Sequence, residues 1–383
     1  MKLYRILMLY LAVLLAPGPV MAAEDVLVVR IGHAAPTKGW LAVLGIENEN
    51  AARMAIDALN ERGLHVGGRR VVFELLTVDD AGEPARARDN AQALVAAGAV
   101  AVAGHFLSAS TLAAAPVYAA AGIAQVTPSS TIGAYTRSGW PTAFRLLADD
   151  VRIGTLLARH AVEQLHARRF VLIDDRGAWS HGLTQDFARA VQQHGGVAVG
   201  ALQVDASDND LRPAVAAVKA LAPDAIFFGG YDHQAGRLLM QMRRLGVDAR
   251  LIVGDAACTL DLVSFWAAGD ARDDQLLCAL PAGVHGVAGP AMERFVAAYT
   301  QRFSRSPEFY GAYAYDAVML IGDAVARAGS AAPADLLRAL AQTRDYPGVT
   351  GAIGFDDRYD VVEPAVSLFT YRDEQRTLLR TLR

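Results

Sequence analysis

The chain has only two cysteines among its 383 residues, Cys258 and Cys278. No CxxC pair occurs, so the redox and zinc motifs built on that spacing are absent. An oxidising compartment would allow Cys258 and Cys278 to form a bridge, and the alternative is two buried thiols. The positions of the two residues in the sequence leave both alternatives open.

Catalytic and cofactor-binding motifs are also missing. The sequence contains no GxGxxG, GxxxxGK[ST], HExxH or GxSxG, and its nine histidines are scattered without the spacing of metal ligands. Ser108 as a nucleophile would need a base, and only His105 is near; we expect its imidazole to bond to a backbone carbonyl instead. His181 is either exposed or at the rim of a site. We therefore predict that the protein is not an enzyme and holds no metal and no cofactor.

The charge and the hydropathy exclude two further classes. A net charge of -4 makes the chain a poor nucleic-acid binder. After the first residues, no apolar run reaches the about 18 residues that span a membrane. Lys2, Arg5, the apolar run 6–16 and the small residues that follow predict a signal peptide over 1–23. We expect a protein exported to the periplasm, with the peptide cleaved, that is not membrane-embedded.

The rest of the chain alternates strands with helices, which favours parallel sheets covered on both faces. The alternation occurs in two series that meet near residue 150, so the fold class is α/β with two doubly wound lobes. The predicted strands of the first series are 27–32, 69–80, 99–104 and 123–128, and its helices are 46–63, 83–98 and 108–122. The predicted strands of the second series are 168–175, 197–204, 224–231 and 250–255.

The last hundred residues do not build a convincing third domain. Helices at 288–303, 312–328 and 333–342 are followed by two short strands near 350–355 and 365–371. We expect this part to complete both lobes, since no Pro-rich or low-complexity linker separates it. The predicted first lobe is 26–148 with 282–362, and the second lobe is 149–281 with 363–383. Chain crossings near 148, 281 and 363 would form a hinge.

Ligands of doubly wound sheets bind outside the carboxyl ends of the strands. Two such turns in the first series are rich in hydroxyls: FLSAST (106–111) and VTPSST (126–131). Ser108, Ser110 and Thr111 are each suited to cap the helix that follows. The alternative is that Ser108, Thr131 and the amides at the start of this helix bind a carboxylate.

The second series ends its strands with aromatic residues and an acid: Trp179, Tyr231 and Asp255. Two interpretations of Asp255 are open: its side chain caps the helix that follows, or it binds a cation. Facing the hydroxyls of the first series, this set would suit a zwitterionic amino acid, because both buried charges would be paired.

The chain resembles the periplasmic branched-chain amino-acid (Leu/Ile/Val) binding proteins of ABC importers. The likeness covers essentially all of the chain after the signal peptide. The segments that carry it are RIGHAAP, NENAARMAIDALNERG, VDDAGEPARARDNAQALV, GHFLSAST, VTPSST, DNDLRPAVAAVKALAPDAIFFGGY, IVGDAACT and YGAYAYDAVMLI.

The resemblance implies the type I periplasmic binding fold, which closes around an amino acid at a hinge. By position, Ser108 and Thr131 would bind the ligand carboxylate together with the backbone of Phe106 and Ser129. Asp255 would bind the ammonium. Trp179, Tyr231 and Tyr310 would line the cleft, with Leu44 and Phe106 near the ligand side chain, and Cys258 and Cys278 would form a disulfide.

Three positions depart from the well-known Leu/Ile/Val binders of this family. Those proteins have Glu where this chain has Asp255, Tyr where it has Trp179, and Trp where it has Leu44. The head group of the ligand is therefore predicted more firmly than its side chain.

The implied partners are an amino acid and an ABC permease with its ATPase, and we expect a monomer. The alternative is a ligand-sensing subunit of the same fold that reports an amide or amino acid to a signalling partner. A neighbouring permease gene or a neighbouring kinase gene would distinguish the two functions.

Overall fold

The computed structural model describes residues 25–265, 275–281, 289–372 and 375–383. The predicted signal peptide over 1–23 lies outside this part of the chain. None of the described helices has the length and apolar character to cross a membrane.

The first sheet has six strands in the order β2-β3-β1-β4-β5-β6, and all are parallel except the short β2. Its strands are β1 (Val26–Ala35), β2 (His65–Val66), β3 (Arg69–Asp79), β4 (Ala101–Gly104), β5 (Ala124–Thr127) and β6 (Ala143–Arg145). The helices between them are α1 (Ala42–Glu61), α2 (Pro84–Ala96), α3 (Ser108–Ala121) and the short α4 (Ala134–Arg137).

Small and β-branched residues explain why β1, β4 and β5 are central strands. Each of β4 and β5 is buried along its whole length, as expected of parallel strands covered on both faces. The helix α3 ends where Gly122 takes a left-handed conformation with φ of 67°. Glycine adopts this conformation at no steric cost, which is why the predicted end of this helix is correct to within a residue.

The second sheet has seven strands in the order β15-β14-β11-β10-β9-β7-β8. Five of them are parallel, whereas β14 is antiparallel to β11 and β15 is antiparallel to β14. The strands are β7 (Arg169–Asp174), β8 (Val197–Gln203), β9 (Ala225–Gly229), β10 (Arg250–Val253), β11 (Leu276–Leu280), β14 (Val366–Arg372) and β15 (Gln375–Leu382). Its helices are α5 (Asp150–Glu163), α6 (Ala178–Gln193), α7 (Arg212–Leu221) and α8 (Asp232–Arg244).

Alternate residues of β7 enter apolar clusters on opposite faces of this sheet. Val171 and Ile173 belong to one cluster, whereas Phe170 and Leu172 belong to the other. A strand that is apolar on both faces must be covered by helices on both sides. The predicted fold class, with two doubly wound α/β units, is therefore confirmed.

The last part of the chain contributes to both units. The helices α9 (Pro290–Phe303), α10 (Tyr310–Ala328) and α11 (Pro333–Ala341) precede a small hairpin of β12 (Tyr346–Gly348) and β13 (Gly351–Ile353). Helix α10 packs against α1 beside the first sheet, whereas β14 and β15 extend the second. The exact lobe boundaries stay a prediction.

The predicted crossings near 148 and 363 lie within the described residues, and the one near 281 does so in part. The amide of Ala148 donates to the carbonyl of Pro281 at 2.8 Å, so the first and second crossings are hydrogen-bonded to each other. Close to them, the buried guanidinium of Arg145 pairs with Asp360 at 2.6 Å. Residues 282–288 of the second crossing lie outside the described residues.

The sequence prediction missed several short elements. The structure adds β2, β6, β11, β12 and β15, and α1 begins at Ala42 rather than at 46. Strands of two to five residues carry too few side chains for a periodic signal. The final strand, β15, is longer, but polar and apolar residues do not alternate along it, and it was not predicted.

Candidate functional site

One cavity of about 150 Å³ lies among the carboxyl ends of the strands of both sheets. The structure brings all nine predicted ligand-binding residues to its wall: Leu44, Phe106, Ser108, Ser129, Thr131, Trp179, Tyr231, Asp255 and Tyr310. The other lining residues are Leu107, Ala109, Asp175, Gly177, Ala178, Ser180, Ala256 and Thr259. The arrangement follows from the topology, since the turns after parallel strands meet at one edge of a sheet. The binding roles of the nine residues stay predictions.

Ser108 is not a helix cap. The residue that precedes α3 in the capping position is Leu107, and no side chain caps this helix. Ser108 is instead the first helical residue, and its hydroxyl accepts a hydrogen bond from that of Ser130 at 3.2 Å. The capping alternative for Ser108, Ser110 and Thr111 is therefore wrong, because the chain enters the helix one residue earlier. The first amides of α3 keep the partial positive charge that favours an anion.

The second hydroxyl-rich turn is tied to the first and to the opposite sheet. The hydroxyl of Ser129 donates to the carbonyl of Phe106 at 2.8 Å. The hydroxyl of Thr131 accepts from the indole Nε1 of Trp179 at 2.8 Å, and the same N–H lies 3.2 Å from Asp150 Oδ1. Trp179 follows β7 of the second sheet, so this contact joins the two walls of the cavity.

Asp255 is one of the acids that line the cavity, and it is only 4% exposed. Its Oδ2 accepts a hydrogen bond from the hydroxyl of Tyr310 at 2.5 Å, whereas its Oδ1 has no partner among the described residues. Burial raises the pKa of Asp255 to about 6, although the hydroxyl of Tyr310 and the backbone amides of Asp255 and Ala256 lower it. A buried carboxyl oxygen without a donor costs free energy, which a ligand cation would recover.

Two further acids surround this position, and the sequence analysis did not single them out. Asp175 lines the cavity, and burial raises its pKa although the amide of Gly177 donates to it. Asp150 is buried at the start of α5, and its pKa is raised first by burial and then by the charge of Asp255. Asp175 belongs to a strand-end segment and could have been found. Asp150 follows β6, which was not predicted.

No lysine, arginine or histidine is among the described residues that line the cavity. Its charged side chains are the carboxyls of Asp175 and Asp255, and its other polar groups are hydroxyls and backbone amides. In the described part of the chain, no three His, Cys, Asp or Glu side chains are grouped to hold a metal ion.

Aromatic rings form the apolar part of the wall. Phe106 and Tyr310 meet edge to face with ring centroids 5.2 Å apart, and Trp179 lies 5.5 Å from Tyr231. Burial raises the pKa of both tyrosines, so their hydroxyls stay protonated at neutral pH. The rings supply an apolar surface beside the polar groups that face the turns.

His105 lies beneath the first turn, and the prediction that it bonds to a backbone carbonyl is wrong. Its Nδ1 is 2.7 Å from Asp80 Oδ2, and its Nε2 is 3.1 Å from the hydroxyl of Tyr118. A wholly buried carboxylate needs a donor, and the imidazole supplies it. His181 is half exposed, lies 3.1 Å from Asp174 and does not line the cavity.

The two cysteines are joined in a disulfide with their Cα atoms 5.3 Å apart. Cys258 belongs to the turn that begins with Asp255, and Cys278 is in β11. The bridge therefore attaches the turn that presents Asp255 to a neighbouring strand of the second sheet.

The two sheets and the cavity between their strand ends define a two-lobed ligand-binding protein. The chain belongs to the periplasmic binding protein family, whose model matches residues 28–375. The type I periplasmic binding fold that the sequence predicted is thereby confirmed.

Relatives with described functions extend over nearly the same length. The Leu/Ile/Val-binding protein homolog 1 of Brucella abortus (strain 2308) is 28% identical over 349 residues, which are 90% of each chain. The leucine-, isoleucine-, valine-, threonine-, and alanine-binding protein of Pseudomonas aeruginosa is 27% identical over 360 residues, 93% of each chain.

A solved structure is similar to this chain over nearly its whole length. LivJ of Streptococcus pneumoniae, a branched-chain amino acid transporter substrate binding protein in complex with isoleucine, is 25% identical with a TM-score of 0.82. The match covers 93% of this chain and 99% of that one.

Proposed function

We propose that this protein is the substrate-binding protein of an ABC importer and binds an apolar amino acid in the cavity between its two sheets. The observation that carries the proposal is the buried Asp255, whose Oδ1 is without a donor at the cavity wall. A ligand ammonium would fill this place, and the relatives named above bind amino acids.

The opposite wall suits the ligand carboxylate. Ser108 and the amides of the first turn of α3 would donate to it, since no side chain caps this helix. Thr131 and the backbone of Phe106 and Ser129 border the same part of the cavity. A zwitterion would then bury both of its charges against groups of complementary charge or polarity, which is the condition for burying them at all.

The charges of the wall favour an amino acid over a plain carboxylic acid. Two carboxyl groups and no basic side chain line the cavity among the described residues. A ligand that carries only a negative charge would meet Asp175 and Asp255 without compensation. An amino acid brings its own cation.

Binding would couple to closure of the two lobes. Two hydrogen bonds at the cavity wall join the two units. Trp179 donates to Thr131, and Tyr310 donates to Asp255. A ligand favours the closed state only through contacts that it makes with both walls at once. The closed form would be the one that a permease and its ATPase recognise.

Titration calorimetry of the mature protein with leucine and two truncated analogues tests the head-group assignment. 4-Methylpentanoate lacks the ammonium, and 3-methylbutylamine lacks the carboxylate. Each lost charge-assisted hydrogen bond is worth roughly 1.5–3 kcal/mol, so we expect each analogue to bind at least about tenfold more weakly than leucine. Binding of the plain acid as tight as that of leucine would contradict the role of Asp255.

The cellular setting is part of the proposal. We propose export to the periplasm with cleavage of residues 1–23, and a monomer with the lobe boundaries predicted above. The N-terminal sequence and native mass of the protein from a periplasmic extract test this part. An intact N-terminus on protein retained in the cytoplasm would contradict it.

A further inference from the structure

The cavity that faces Asp255 does not end at its apolar wall. A second cavity of about 100 Å³ lies beside it, which we call the outer chamber. Four residues, Leu44, Tyr231, Ala256 and Thr259, line both cavities. The two spaces therefore lie side by side along these residues, and a ligand longer than the first cavity would extend toward the outer chamber.

Trp40 lines the outer chamber but not the first cavity. Its ring meets that of Tyr231 edge to face at 4.8 Å and lies 5.6 Å from His233. Trp40 nevertheless stays 65% exposed, and Val43 beside it in the same wall is 43% exposed. An aromatic residue that joins two parts of a cleft and keeps most of its surface uncovered offers that surface to a ligand.

The acids of the outer chamber are largely satisfied within the protein. Asp232 accepts from the hydroxyl of Thr259 at 2.7 Å and from the amide of His233 at 2.7 Å. Glu308 lies 3.3 Å from the amide of Leu260 and 3.7 Å from the guanidinium of Arg376. Asp261, the third acid of the outer chamber, is exposed to solvent. The surface that remains for a ligand is therefore mostly aromatic and aliphatic.

We propose that the outer chamber is a subsite for the far end of the ligand side chain, with Trp40 as the residue that determines specificity. The ligand is then an amino acid with an aromatic or extended apolar side chain. The side chains of valine and leucine are too short to enter the outer chamber, which would then be filled by water. A phenyl ring or a linear alkyl chain would reach Trp40 and bury its apolar surface. This inference rests on the proposed function, which supplies the head-group contacts.

Calorimetry with phenylalanine, norleucine, leucine and valine tests the subsite. We expect the wild-type protein to bind phenylalanine and norleucine at least fivefold more tightly than valine. In Trp40→Ala, phenylalanine should lose at least fivefold in affinity, whereas valine should change less than twofold. Ile46→Ala is the matched control, because Ile46 is also about half exposed on α1 and lines neither cavity.

Failure of the subsite and failure of the proposed function look different in this experiment. Preference for valine or leucine over the longer ligands, or an equal loss for all ligands in Trp40→Ala, overturns the subsite and leaves amino-acid binding intact. Absence of binding by every amino acid overturns the proposed function and the subsite together. A loss in Ile46→Ala equal to that in Trp40→Ala would also overturn the role of Trp40.

Discussion

Asp255 and Asp316 are both almost wholly buried, and burial raises the pKa of each to about 6. Asp316 lies in α10 beside the first sheet. Its two oxygens accept from the amides of Val349 and Thr350 at 2.9 and 2.8 Å and from the hydroxyl of Thr350 at 2.6 Å. Asp255 at the cavity accepts from one side chain, that of Tyr310, and its Oδ1 is without a hydrogen-bond partner among the described residues.

The comparison distinguishes a structural carboxyl group, that of Asp316, from one that we propose binds a ligand, that of Asp255. Asp316 ties the turn between β12 and β13 to α10, and its hydrogen-bonding capacity is used within the chain. Asp255 is as deeply buried, but part of its capacity is unused. Burial and a raised pKa alone therefore do not distinguish the two roles; the hydrogen-bond partners do.

The largest expected effect comes from exchanging each acid for its amide. Removing one partner of a buried ion pair costs roughly 3–5 kcal/mol, so Asp255→Asn should weaken amino-acid binding by about a hundredfold or more. Asp316→Asn should change the affinity less than threefold. It should lower the free energy of unfolding by roughly 1–3 kcal/mol, because donors in the turn lose their acceptor.

Calorimetry and urea unfolding of both variants measure these two quantities. The distinction between the two acids would be wrong if Asp255→Asn kept its affinity for amino acids or if Asp316→Asn lost it. A soluble and cooperatively unfolding Asp255→Asn protein is required for its loss of binding to count.

A smaller effect is expected from the hydroxyl that faces Asp255 across the cavity. Ser108→Ala should weaken amino-acid binding by roughly 1.5–3 kcal/mol, since it removes a hydrogen bond to the charged carboxylate. Its effect on apo stability should stay below about 1 kcal/mol, because Ser108 caps no helix.

Ser110→Ala is the matched control two residues further along α3. The hydroxyl of Ser110 is buried without a hydrogen-bond partner and does not line the cavity. Removing it should leave the affinity within twofold and the stability unchanged or higher. Similar losses of affinity in both serine variants would refute a direct contact by Ser108.

The raised pKa of Asp255 predicts that binding depends on pH. The ammonium binds the ionised carboxylate, which is replaced by the neutral acid as the pH falls through about 6. The affinity should therefore be constant above about pH 7 and fall by at most about tenfold per pH unit below pH 6. The residual binding of Asp255→Asn should be flat over the same range; an equally steep profile in this variant would assign the titration to another group, such as Asp150.

The smallest expected effect concerns the contact between the two walls. Trp179→Phe keeps an aromatic ring and removes the N–H that reaches Thr131 and Asp150. A hydrogen bond of this kind is worth roughly 0.5–1.5 kcal/mol, so the affinity should fall by about two- to tenfold. Calorimetry measures this loss, and an unchanged affinity would show that the contact does not contribute to closure.

Much of the architecture could be predicted because its signals are local. Long apolar strands such as β1 and amphipathic helices such as α6 carry their signals within a few neighbouring residues. The short strands β6 and β11 span only three and five residues, which are too few to show a periodic signal. Asp150 was missed for this reason, since it follows β6.

The sequence by itself determined the alternation of strands and helices, and hence which turns lie at the carboxyl ends of the strands. It thereby determined that Ser108, Thr131, Trp179, Tyr231 and Asp255 would come near one cleft. Only the tertiary structure decided which of their atoms are already bonded: Thr131 accepts from Trp179, Asp255 keeps a free oxygen, and His105 binds Asp80. The physical reason is that hydrogen bonds depend on distances of a few tenths of an ångström between residues remote in sequence, and local propensity carries no information about them.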